Sequence, residues 1–204
     1  MSAGLQDGRP LGPGTVLVVV DMQRLFAEAT AWCVPNLATV IEPIAALARA
    51  HSAQTIFTRF MTPATVDEAA GTWRRYYRRW PMVLRGNMDA AMFELVAPLA
   101  GFAPPAEICD KTTFSAFHSV PFLATLERRR ADALVIAGAE TDVCVLATAF
   151  DAVDRGYRVI IVADAVTSLS AAGHRATLDA ICTRMDQQVE IMTVDGVLAA
   201  WPKE

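Results

Sequence analysis

Three short, almost uninterrupted apolar runs constrain this chain more than any other feature: VLVVV at 16–20, ALVIA at 133–137 and VIIVA at 159–163. A strand with one wet face alternates apolar and polar residues. A continuous run rich in branched side chains instead reads as a strand covered on both faces, the situation inside a parallel sheet. Weaker runs complete a set of six expected strands, at Thr15–Val20, Gln54–Thr58, Ala106–Cys109, Ala133–Ala137, Arg158–Val162 and Gln188–Thr193. Helical periodicity fills the intervals, at Asn36–His51, Thr72–Trp80, Ala90–Leu99, Pro121–Arg130, Asp142–Gly156 and Ala171–Met185. This alternation predicts an α/β fold: a single-domain, open, mainly parallel six-stranded β-sheet flanked by helices on both faces, Rossmann-like in plan. No repeat or linker divides the chain. Residues 15–204 are therefore expected to form one domain, and the Gly/Pro-rich residues 1–14 a flexible lead-in.

Composition removes several function classes. At 53% hydrophobic and 20% charged, the chain is far from the disordered regime. No apolar stretch approaches the roughly 18 residues of a spanning helix, and residues 1–14 lack the apolar core of a secretion signal. Four cysteines without a C-x-x-C pair give neither a disulfide framework nor a zinc site, so a reduced, cytoplasmic protein is expected. A net charge of −4 argues against a nucleic-acid partner. No G-x-G-x-x-G or G-K-[ST] loop and no H-x-x-x-H or D-x-H pattern occurs, so neither a cofactor nor a metal is expected.

Ligands of open α/β sheets bind outside the carboxyl ends of the strands. Asp21 follows VLVVV, Lys111 follows AEIC–Asp110, and ALVIAG leads through Glu140 and Thr141 to Cys144. Three strands thus deliver a carboxylate, an ammonium and a thiol to one edge. Lys111 and Lys203 are the only lysines in an arginine-rich chain, and Lys203 is in the tail. With Thr141 as N-cap, Cys144 becomes the third helical residue, where the dipole and a nearby Lys111 favour a thiolate. Cys33, Cys109 and Cys182 read as small buried hydrophobes. Trp73, Tyr76, Tyr77 and Trp80 share one helical stripe opposite Arg74, Arg75, Arg78 and Arg79. That stripe suits docking on the domain or on a sister subunit, so a homo-oligomer is expected.

The segments VVVDMQRLF (18–26), DKTTFSAF (110–117) and GAETDVCVLATAFDAVDRGYRVIIVADA (138–165) together resemble the isochorismatase-like cysteine hydrolases, the superfamily of nicotinamidases and N-carbamoylsarcosine amidases. The resemblance implies a catalytic triad of Asp21 as general acid/base, Lys111 as the adjoining cation and Cys144 as nucleophile. It also implies a cis peptide at Ala139–Glu140 and an oxyanion hole made by the backbone N–H groups of Glu140 and Cys144. The implied reaction is hydrolysis of an amide, ureide or carbamoyl C–N bond in a small molecule through a thioester. The alternatives are vinyl-ether hydrolysis or a non-catalytic binding protein on the same fold. Where nicotinamidases carry a D-x-H metal site, this chain reads Thr58-Arg59-Phe60-Met61, which points away from that branch. Phe26, Phe60, Trp73, Tyr76 and Phe117 are candidate walls of the substrate pocket. Arg59 or the arginine face of 74–79 could recognise an acidic substrate.

Overall fold

The computed structural model describes residues 10–202. Six strands, β1 (Thr15–Val20), β2 (Thr55–Phe60), β3 (Glu107–Lys111), β4 (Ala133–Ala139), β5 (Arg158–Thr167) and β6 (Val189–Met192), form one sheet in the order β3-β2-β1-β4-β5-β6. Every neighbouring pair is parallel. All six residues of β1 and all seven of β4 are buried, which is why their sequences are apolar without alternation.

The helices are α1 (Arg24–Ala27), α2 (Leu37–Ala50), α3 (Trp73–Arg79), α4 (Ala97–Ala100), α5 (Val120–Arg128), α6 (Leu146–Asp154), α7 (Ala171–Ala176) and α8 (Val194–Ala200). Successive crossovers run from β1 outward to β2 and, in the opposite direction, from β4 outward to β5. Right-handed connections then put α2 and α6 on opposite faces. In agreement, α2 packs with α4 and α8, whereas α5 and α6 share the turn at Ala116–His118. The reversal of strand order between β1 and β4 opens a crevice at their carboxyl ends, the usual place for a ligand in such sheets.

Several expected boundaries move. The helix expected over Ala90–Leu99 is a 3₁₀ turn at Ala90–Phe93 followed by the single turn of α4, with Leu95 between them paired antiparallel to Gln23. Pro98 lies at the start of α4, where a missing N–H costs nothing, and it cannot continue a preceding helix. The helix expected over Ala171–Met185 passes from α7 into a π-helical segment at Thr177–Cys182. Of the expected lead-in 1–14, residues 1–9 lie outside the described residues. Leu11 is not loose, since it is buried and its N–H donates to Ala200 O at 3.0 Å. Lys203 also lies outside the described residues. No helix among the described residues is long and apolar enough to cross a membrane.

Candidate active site

Each polar residue of the crevice is fixed by the strand that precedes it. Asp21 is the first residue beyond β1 and has φ of +51°, a left-handed conformation that Asp tolerates better than most side chains. Its N–H is within bonding distance of Thr58 O and Oγ1, both at 3.2 Å, and Thr58 Oγ1 donates back to Asp21 Oδ1 at 2.7 Å. Lys111 is the last residue of β3 and pairs in register with Phe60 at the end of β2. From there its ammonium crosses the Phe60 ring, 4.7 Å from the centroid, and reaches Asp21 Oδ2 at 2.6 Å. It also donates to Thr113 O at 3.0 Å. Both side chains of the pair are essentially sealed from solvent, at 0% and 1% exposure.

Cys144 comes from the far side of the crevice. Gly138 of β4 has φ of +111° and sits opposite Val20. A Cβ there would fall 2.1 Å from Val20 O, so only glycine permits this close approach of β4 to β1. The Ala139–Glu140 peptide that follows is cis. The residue capping the next segment is Glu140 and not Thr141, and the first turn, Thr141–Val145, is π-helical with Val145 N–H donating to Glu140 O at 3.1 Å. Thr141 Oγ1 turns to His174 Nδ1 at 2.9 Å instead of capping. Cys144 is therefore the fourth residue of the helical segment, buried, and it interacts with both Asp21 and Lys111.

The thiol is not held as a thiolate by its neighbours. Burial pushes it well above the usual cysteine range; Lys111 pulls it down and Asp21 pushes it up. Desolvation thus outweighs the pull of the cation. Burial also raises the Glu140 carboxyl, with Asp142 adding to the effect, while the Leu169 N–H at 2.9 Å and Ser168 Oγ oppose it. Asp142 is tied to Ser168 by a short hydrogen bond.

A cavity of about 270 Å³ opens onto Cys144 and Glu140. Phe26, Phe60 and Tyr76 line it. Trp32, Phe114, Val143 and Leu169 complete the walls, and of these Trp32 and Leu169 were not legible in the sequence. Trp32 sits in an irregular loop with no periodicity, where it stacks on Phe26 at 6.1 Å. Phe114 could have been found, because it lies three residues beyond Lys111 in the loop at the strand end. Trp73 does not line this cavity but the adjoining cleft of about 580 Å³, with its ring centroid 4.8 Å from Phe114 and 6.2 Å from Phe60. Phe117 does not line the cavity. It is a core residue packed against Phe122 at 5.3 Å and Tyr157 at 5.7 Å, because the turn at Ala116–His118 directs it under the sheet edge.

The aromatic stripe of α3 faces inward. Tyr77 is buried, and Tyr76 meets Trp32 at 5.8 Å. Arg59 is engaged away from the cavity, with Asp110 at 2.7 Å and Glu94 at 2.8 Å. Among the described residues no group of three or more His, Cys, Asp or Glu side chains is placed to hold a metal ion.

The chain matches the Isochorismatase domain over residues 15–195. It is 30% identical to maleamate amidohydrolase of Pseudomonas putida, covering 84% of this chain and 81% of that protein. It is 28% identical to nicotinamidase 3 of Arabidopsis thaliana, covering 79% and 77% of the two chains. The crystal structure of a cysteine hydrolase from Pseudomonas syringae superposes with a TM-score of 0.79 over 94% of this chain and 96% of that one, at 28% identity. A domain match across most of the sequence, joined to the same all-parallel sheet, makes this chain a member of the isochorismatase family of hydrolases.

Proposed function

We propose that the protein is a cysteine hydrolase that cleaves an amide, ureide or carbamoyl C–N bond of a small molecule through a thioester on Cys144. The observation that carries this reading is the meeting of three buried groups brought in by three strands, with Cys144 lining a substrate-sized cavity beside an Asp21–Lys111 pair at 2.6 Å. Because burial keeps Cys144 protonated at rest, the thiol needs a base at the moment of attack. Asp21 is that base, and it takes the proton as Sγ bonds to the carbonyl carbon. The N–H groups of Glu140 and Cys144 receive the oxyanion. Asp21 then returns the proton to the departing nitrogen, and the C–N bond breaks to leave the thioester. A water that gives its proton to Asp21 attacks the thioester carbonyl, releasing the acid and restoring the thiol. Lys111 balances the charge on Asp21 and on sulfur throughout, which a low-dielectric site requires.

No cofactor or metal enters this scheme. A cytoplasmic location and a homo-oligomer are part of the same reading. A monomer by light scattering at micromolar concentration would refute the latter.

The decisive assay is release of ammonia or amine from a panel of small amides, ureides and carbamoylated amines. The wild type should turn over at least one class, with the acyl group recovered on the Cys144 peptide after acid quench. Cys144→Ser should lose about 10³-fold or more in kcat. Equal turnover by Cys144→Ser would overturn the proposal.

A further inference from the structure

The substrate cleft has two parts with opposite electrostatic character. The inner cavity at Cys144 is walled largely by aromatic rings, and its acidic lining residue is Glu140. The nearest cation, Lys111, is already committed to Asp21 and Thr113. An anion placed inside would therefore lie among apolar rings, close to a carboxyl group, with no free positive partner.

The outer part is a cleft of about 580 Å³ that shares Tyr76 and Phe114 with the inner cavity. Its α3 side is built from Thr72, Trp73, Arg75, Tyr76 and Arg79; Arg75 and Arg79 are spaced i and i+4, so the two side chains rise one turn apart on a single face, and the Arg79 guanidinium also lies over the Trp80 ring, 5.6 Å from its centroid. Neither has an ion-pair partner among the described residues. Arg24, Arg49, Arg59, Arg128, Arg129 and Arg158, in contrast, each meet a carboxylate. No acidic residue occurs between Glu68 and Asp89.

Resting on the cysteine-hydrolase reading, we propose that the outer cleft is a subsite for a carboxylate at the far end of the substrate, held by Arg75 and Arg79, while an uncharged apolar or aromatic segment fills the inner cavity. The forked guanidinium geometry matches a carboxylate. A substrate whose carboxylate lies only a few bonds from the scissile carbonyl is disfavoured, because its anion would fall beside Glu140.

Two covalent probes test this without knowledge of the natural substrate: para-(iodoacetamido)benzoate and its neutral carboxamide analogue. In each, Cys144 sulfur bonds to the methylene carbon, iodide leaves and the thiol proton is lost to base. At neutral pH and low salt the anionic probe should label Cys144 about tenfold faster or more, as expected for a charge-assisted hydrogen bond. The preference should shrink with added salt. In Arg75→Gln/Arg79→Gln it should fall to within about twofold, with the neutral probe's rate unchanged, whereas Arg78→Gln should keep it. Equal rates for the two probes in the wild type, or a preference that survives the double variant, would overturn the subsite while leaving the nucleophile intact. Labelling of Cys33 without Cys144 by either probe would instead overturn the cysteine reading and the subsite with it.

Discussion

Replacing Lys111 by Met strands the Asp21 carboxylate in a site sealed from water. The ammonium lies 2.6 Å from Oδ2, and both side chains are at most 1% exposed. At an effective dielectric near 20, unit charges at that distance attract by about 6 kcal/mol. Part of this is offset because the ammonium no longer has to be desolvated, and breaking a buried pair from one side costs about 3–5 kcal/mol net. With an m-value of about 2–3 kcal/mol/M, the urea midpoint should drop by roughly 1.5 M at neutral pH. The double variant Lys111→Met/Asp21→Asn removes both charges. Asn also tolerates the left-handed backbone at this position, so the double variant should recover at least half of the loss. The single variant's native state has a stranded carboxylate to neutralise, so it should bind protons more readily than the unfolded chain. Its deficit should therefore grow as pH rises and shrink on acidification. Urea titrations followed by circular dichroism across pH measure all of this. A single variant within about 1 kcal/mol of wild type, or a double variant no more stable than the single, would refute the reasoning.

Gly138→Ala should be among the most destabilising single changes, by more than about 3 kcal/mol or to the point of insolubility, because the new methyl falls 2.1 Å from Val20 O at a φ of +111°; thermal melts check it. Thr58→Val removes the hydroxyl bonded to Asp21 Oδ1 at 2.7 Å, and should lower kcat about tenfold with KM little changed, a split that a purely structural role would not give. Phe117→Ala should cost about 3–5 kcal/mol of stability and leave KM alone, whereas Trp32→Ala should raise KM; steady-state kinetics beside urea melts separate them. Absorbance at 240 nm should show no Cys144 thiolate near neutral pH in the resting enzyme, since burial raises the thiol, and a full thiolate signal at pH 7 would contradict this.

The sequence by itself determined the sheet, because strands buried on both faces must be apolar without alternation, and β1 and β4 are. It also placed Asp21, Lys111 and Cys144 near strand ends, since a residue at a strand end inherits its position from the register of that strand. Tertiary structure alone decided the rest. Phe114 and not Phe117 faces the cavity because a 3₁₀ turn intervenes, and no periodicity announces such a turn. Trp32 reaches the site from an irregular loop whose path is set by the rings it meets. The aromatic stripe of α3 faces inward because Phe60 and Trp32 wait beneath it, and neither is its neighbour in sequence. The protonation of Cys144 follows the same rule. Its cation was visible in the chain, but how deeply the fold buries the sulfur was not, and burial outweighs the cation.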